Sequence, residues 1–137
     1  MSWDVVIMDF GDYACVEDIP QDYQPEPIGP RAQVEQCISH LYPAADFSDP
    51  PHGRLSTEAG SVEFFFGEDD PVKSVVLSIR GGDDLVAVVH AVAEVLGCRA
   101  YDCSSGDFLV PGQPATGFAE WRAYRDQVLR QDKPDNE

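Results

Sequence analysis

Apolar side chains recur at every second position in two stretches of the chain, and a third stretch is apolar on both faces. The third stretch, WDVVIMDF at positions 3–10, is typical of a strand in the centre of a sheet. The alternating stretches are 62–66, with Val62, Phe64 and Phe66, and 75–79. The acidic turn GEDDP lies between them and predicts an antiparallel hairpin with one buried face.

Two further segments have the three-and-four spacing of an amphipathic helix. The first begins at Pro30 and ends at Pro43, and the second begins after Asp83, a predicted N-cap, and ends at Gly97. The helices and strands together predict one core. It comprises Val5, Ile7, Val34, Ile38, Leu41, Phe64, Phe66, Val75, Leu77, Ile79, Leu85, Val88, Val89, Val92 and Leu96.

With short strands expected over 54–57 and 98–103, the element order is β-α-β-β-α-β with one additional strand. This order predicts an α+β fold: a two-layer sandwich of an antiparallel or mixed sheet of four to five strands with two helices, in ferredoxin-like order. Residues 1–110 form the predicted single domain. Residues 111–137 form a predicted linker and C-terminal helix with a frayed tail.

Charge distinguishes this chain from an ordinary globular sequence. Its 137 residues include 25 acids against nine Lys and Arg, a formal net charge of −16. This balance argues against nucleic acid as a partner, because phosphate binding needs a basic face. The chain has no long apolar run and no basic signal-peptide start, so we expect a cytoplasmic protein with no membrane segment. The four cysteines lack Cys-x-x-Cys spacing and are expected to be reduced thiols.

The stretch YDCSSGDF at 101–108 raises the question of catalysis, because many hydrolases carry their nucleophilic thiol on a tight turn. None of the six residues that follow Cys103 is an arginine, so no phosphate cradle is expected there. Asp102 and Asp107 flank the thiol, and like-charge repulsion should raise its pKa, which is the opposite of activation. We therefore interpret the stretch as a strand that ends in a Ser-Ser-Gly turn, and we predict no catalytic residue.

The histidines and the acidic turns give no stronger signal for a site. His52 lies in a Pro-Gly loop without a recognisable nucleophile, and His90 is expected on the solvent side of its helix, one turn before Glu94. The acids at 68–70 lack the 1,3,5 spacing of a calcium loop. In SIRGGDDL, two acids occupy the position where an anion would bind. The sequence thus predicts neither a metal site nor a cofactor.

Shape and charge remain as indicators of function. A long acidic Pro-rich loop over 11–29 and the acidic hairpin tip are typical of a binding module for a basic protein partner. The alternative is that the acids only maintain solubility. The predicted partner-binding residues are Asp12, Tyr13, Glu17, Asp18, Asp22, Tyr23, Glu26, Glu68, Asp69 and Asp70.

Four blocks resemble a group of short bacterial proteins that share them over roughly residues 1–110: MSWDVVIMDF, IGPRAQVEQCISHLYPAADFSDPPHGRL, SIRGGDD and LGCRAYDCSSGDFL. In size and acidity the chain also resembles the immunity proteins of interbacterial polymorphic toxins. That resemblance implies a cytoplasmic monomer or weak dimer that binds and neutralises a basic toxin domain, and it assigns no residue a role. Two rival hypotheses are a small enzyme that uses Cys103 or His52, and an oligomeric adaptor whose aromatic C-terminal helix docks on another chain.

Overall fold

A computed structural model describes residues 2–48 and 52–110, together with residues 119, 123, 124, 126 and 127. The predicted C-terminal helix lies outside these ranges apart from those five single positions. The described elements are β1 (Trp3–Met8), a 3-10 turn (Val16–Asp18), α1 (Arg31–Leu41), β2 (His52–Thr57), β3 (Gly60–Phe65), β4 (Ser74–Gly81), α2 (Asp84–Val95), β5 (Arg99–Asp102) and β6 (Asp107–Leu109).

The strands form one antiparallel sheet in the order β2-β3-β4-β1-β5-β6, so the protein is α+β with six strands and two helices in its described part. The central position predicted for β1 is confirmed, since it pairs with β4 on one side and β5 on the other. The predicted strand count of four to five is wrong. The sequence prediction missed β6, because its three residues are too short to display a period of two.

Both helices pack on the same face of the sheet. Side chains at alternate positions of β1 are buried against them, and so are Val34 and Ile38 of α1. Thirteen of the fifteen predicted core residues are buried. Leu41 is not, because it is the last residue of α1 and is 37% exposed, and Leu96 is only partly buried at the end of α2. The other face of the sheet is not covered by either helix.

The backbones of β3 and β4 approach each other closely at the end of β4 that leads into α2. Gly60 and Gly81 face each other across the strands, with φ of 143° and 153°. A Cβ on Gly60 would lie 2.1 Å from the carbonyl oxygen of Arg80, so only glycine fits there. Asp83 occupies the N-cap position of α2 as predicted, but its backbone is already helical and its side chain makes no capping hydrogen bond.

Candidate partner-binding surface

The two acidic segments predicted to bind a partner leave the sheet at the same end. Strand β1 ends at Met8, which is paired with Ser74 at the start of β4. The long loop 9–30 follows β1, and the hairpin tip 66–73 precedes β4, so the antiparallel register places both beside one another. We call residues 9–26 and 67–70 the acidic end of the sheet.

A two-bond bridge fixes these segments to each other. The N–H of Ile28 donates to the carbonyl oxygen of Val72 at 2.7 Å, and the N–H of Val72 donates to that of Gly29 at 2.7 Å. Val72 is fully buried, which anchors the bridge in the core. Backbone hydrogen bonds therefore help to set the relative position of the two acidic segments, although the negative charges of the segments repel one another.

The acidic end holds nine acidic residues and no lysine or arginine. All eight acids predicted to contact a partner are exposed: Asp12, Glu17, Asp18, Asp22, Glu26, Glu68, Asp69 and Asp70. Within the part of the chain that the structure describes, the carboxylates of Asp12, Asp22 and Glu26 make no hydrogen bond or ion pair. Their charge is thus available to an approaching molecule.

The ninth acid, Asp9, organises the loop, and the sequence analysis did not single it out. Its carboxylate accepts hydrogen bonds from the N–H of Glu26 at 2.8 Å, the hydroxyl of Tyr23 at 2.7 Å and the N–H of Gly11 at 2.9 Å. These three donors, that of Glu26 first, lower the pKa of Asp9. The bond to Asp9 also raises the pKa of Tyr23 to about 12. Asp9 therefore folds the loop back on itself.

Tyr13 and Tyr23, which were predicted to contact a partner, are both half-buried. Their rings pack edge to face with centroids 5.7 Å apart. The guanidinium of Arg99 on β5 donates to the carbonyl oxygen of Tyr13 and lies 3.6 Å over the ring of Phe108. Because of these contacts, the tyrosines fasten the loop to the sheet and present only part of their surface to a partner.

At the hairpin tip, Asp70 has a structural partner. Its Oδ1 accepts from the N–H of Arg31, the first residue of α1, at 3.0 Å, and the Arg31 Nη2 donates to the carbonyl oxygen of Gly67 at 2.6 Å. Asp70 thus satisfies a free N–H group at the start of the helix from a distant segment. Glu68 and Asp69 have no such bond among the described residues, and they are the freer acids of the tip.

The thiol of Cys103 lies at the opposite end of the sheet from the acidic end. Although Cys103 is exposed as a residue, desolvation of its thiol raises its pKa, and the carboxylates of Asp4 and Asp102 raise it further. The predicted direction is confirmed, but the second acid is Asp4 and not Asp107. Asp102 accepts from the backbone N–H of Ser104 at 2.8 Å, so the turn after β5 is built on a buried carboxylate.

His52 and His90 each line a cavity. His90 was expected on the solvent side of α2, but it is half-buried, and desolvation lowers its pKa. With Glu94 and Cys98 it lines a cavity of about 350 Å³. His52 is exposed beside a cavity of about 290 Å³. Neither ring is hydrogen-bonded to another side chain within residues 2–48 and 52–110. The arrangement of a nucleophile held by a base is not seen there.

Neither the described residues nor the comparisons with known proteins indicate a metal site or a known family. No group of three or more potential ligand residues there is arranged to hold a metal ion, all four cysteines are free thiols, and no described helix is long and apolar enough to cross a membrane. No family model, curated protein or solved structure matches the chain. The resemblance to immunity proteins therefore stays a prediction.

Proposed function

We propose that the protein is a binding module whose acidic end docks on a basic surface of another protein, and that it acts as a cytoplasmic immunity or inhibitor protein for a toxin domain. One observation carries the proposal: the backbone bridge between Gly29 and Val72 brings two acidic segments to one end of the sheet. Like charges held together cost folding free energy, and a basic partner offsets that cost.

The anchoring of the acidic end favours binding over a purely solubilising role. Asp9 closes the long loop, and Asp70 and Arg31 hold the hairpin tip on α1. Residues fixed before association lose less conformational entropy when they bind. Acids that only maintained solubility would need no such scaffold, because scattered surface charges serve that purpose equally well.

Such a module would act by occlusion. Its carboxylates would accelerate the encounter with a basic partner, and the folded loop would then cover the partner's basic site. The raised pKa of Cys103 argues against a nucleophilic role for this thiol, since a nucleophilic thiol needs the opposite shift. The adaptor hypothesis predicts a stable dimer, which sedimentation of the purified chain would reveal.

The direct test is co-expression with the protein encoded by the adjacent gene. We expect the two proteins to co-purify at about 0.1 M salt and the neighbour's toxicity to disappear when this chain is present. Cytochrome c, a basic protein of unrelated function, is the control for binding by charge alone and should bind far more weakly. Absence of both a complex and protection would refute the proposed function.

A further inference from the structure

The register of the sheet aligns one side chain from each strand across the open face. Each of these residues is paired with a residue on the strand beside it, and successive pairs share a residue, so the six side chains form one line. It runs His52, Phe65, Val76, Val6, Tyr101, Phe108 from β2 to β6. We call these six residues the cross-sheet row. At a strand spacing of about 4.8 Å the row is about 24 Å long.

The row is apolar and partly exposed along its length. His52 is exposed, and the other five residues are half-buried. One end holds the ring of His52 against Phe65, with centroids 4.9 Å apart. At the other end Phe10 lies 5.9 Å from Tyr101 and 5.2 Å from Phe108 between ring centroids. The centre consists of two valines, whose shorter side chains make it lower than its aromatic ends.

Toward the Cys103 end of the face, polar residues of β1 to β4 border the row. Arg54 on β2 makes no side-chain hydrogen bond among the described residues, whereas the other three do. The hydroxyls of Ser2 and Ser78 each donate to Asp4 Oδ1 at 2.8 Å. Arg80 and Glu63 form an ion pair at 3.4 Å. An apolar strip bordered by polar groups has the composition of an interface core with its rim.

The row is continuous with the acidic end. Phe10, which contacts both aromatics at the β6 edge, directly follows Asp9 in the chain. Arg99 links the same region, because its guanidinium stacks on Phe108 and bonds to the loop at Tyr13. A protein that contacts the acidic loop therefore reaches the row without crossing another structural element.

We propose that the cross-sheet row is the apolar centre of the docking surface and takes an aliphatic or aromatic side chain of the basic partner, flanked by lysines or arginines that meet the acidic end. This inference rests on the proposed function. A single row of side chains supplies only part of the roughly 800 Å² that each partner buries in a stable complex, and the adjoining acidic end supplies further contact area. A second copy of this chain fits less well, since each copy carries a net charge of −16 and the two would repel.

The two parts of the surface then have separable kinetic effects. Exposed carboxylates act at long range and set the association rate, whereas a desolvated apolar centre acts only on contact and sets the dissociation rate. Substitutions in the row should therefore change dissociation while leaving association and its salt dependence as in the parent.

The test is the double variant Val6→Thr with Val76→Thr, which keeps side-chain shape and strand preference while adding two hydroxyls. Binding is measured by surface plasmon resonance against the protein encoded by the adjacent gene. We expect dissociation on the order of 10-fold faster, as two hydroxyls are desolvated without a partner. The matched control is Ser56→Thr, a threonine on the same face at the exposed edge strand, which should dissociate like the parent.

Each outcome decides between the hypotheses. If the parent binds and the double variant dissociates at the parent rate, the inference is overturned while the proposed function stands. If the parent itself does not bind, the proposed function fails as well. If the parent sediments as a dimer that the double variant converts to a monomer, a second copy covers the row. Val76→Ala, which adds no polar group, provides the same readout should the double variant unfold.

Discussion

Trp3 and Asp102 are hydrogen-bonded in the core although 99 positions separate them: the indole Nε1 donates to the carboxylate Oδ1 at 3.0 Å. Trp3 is fully buried and Asp102 is 1% exposed. The same oxygen accepts from the N–H of Ser104, so one buried carboxylate ties the start of β1 to the end of β5 and shapes the turn that carries Cys103. The stretch YDCSSGDF is thereby accounted for as a structural element.

Removing the indole donor should destabilise the fold. Trp3→Phe keeps most of the apolar volume but leaves the buried Asp102 with one donor fewer, at a cost of about 1 to 3 kcal/mol. The control Ser2→Ala removes a bond to Asp4 on the open face, which is only partly buried, and should cost less than about 1 kcal/mol. Urea denaturation measures both. Equal midpoints for the two variants would contradict the role given to this pair.

The orientation of the hairpin predicts opposite results for two adjacent phenylalanines. Phe64 is fully buried against the helices, so Phe64→Ala should cost about 3 to 5 kcal/mol in the free energy of unfolding. Phe65 lies half-buried on the open face, and Phe65→Ala should cost clearly less. If Phe65→Ala were the more destabilising change in urea denaturation, the hairpin would face the other way.

The bond between Tyr23 and Asp9 predicts a late step in the titration of the five tyrosines. The folded pKa of Tyr23, about 12, lies above its ordinary value of 10.0. The contribution of this bond to loop stability is therefore complete below pH 10 and is lost as pH rises through about 12. Asp9→Asn should move this step toward pH 10, and Tyr23→Phe should abolish it.

Absorbance at 295 nm follows this titration directly. In acid the pH dependence of loop stability has the opposite direction, because the pKa of Asp9 is lowered. The Asp9 carboxylate stabilises the loop fully above the ordinary aspartate pKa, and this stabilisation is lost as pH falls through the lowered pKa. A parent titration that is complete by about pH 11 and unaltered by Asp9→Asn would mean that the loop is not held by this bond.

The elements that could be predicted from the sequence are those in which burial in the core makes apolar residues recur at regular positions. Val62 and Phe64 in β3 and the buried face of α2 repeat often enough for the pattern to be read. Strand β6 has three residues and exists because the turn built on Asp102 returns the chain beside β5. Strand β6 therefore depends on a tertiary contact, which no local sequence pattern can predict.

The candidate surface was predictable to a similar extent. Charge is visible in the sequence, so the acids of the loop and tip were found. Their arrangement was not, because Asp9 and Asp70 act on segments 14 to 39 positions away. The cross-sheet row was hidden for the same reason, since each strand contributes a single residue and only the register brings the six together.

The central claim, that the acidic end captures a basic partner, is tested most directly by the association rate of two matched triple variants. Asp12→Asn, Asp22→Asn and Glu26→Gln remove three of the nine negative charges of the acidic end and keep Asp9 and Asp70. Each variant is measured by stopped flow with the protein encoded by the adjacent gene. The control triple removes the same charge at the opposite end of the sheet with Glu58→Gln, Asp84→Asn and Asp107→Asn, all exposed positions.

At about 0.05 M salt, the acidic-end triple should associate about 3- to 10-fold more slowly than the control triple. Both should unfold at nearly the parent midpoint, because exposed charges add little to stability. The difference should shrink at 0.5 M salt, where the Debye length falls to about 4 Å. Equal association rates for the two triples at low salt would contradict the claim that the acidic end is the docking surface.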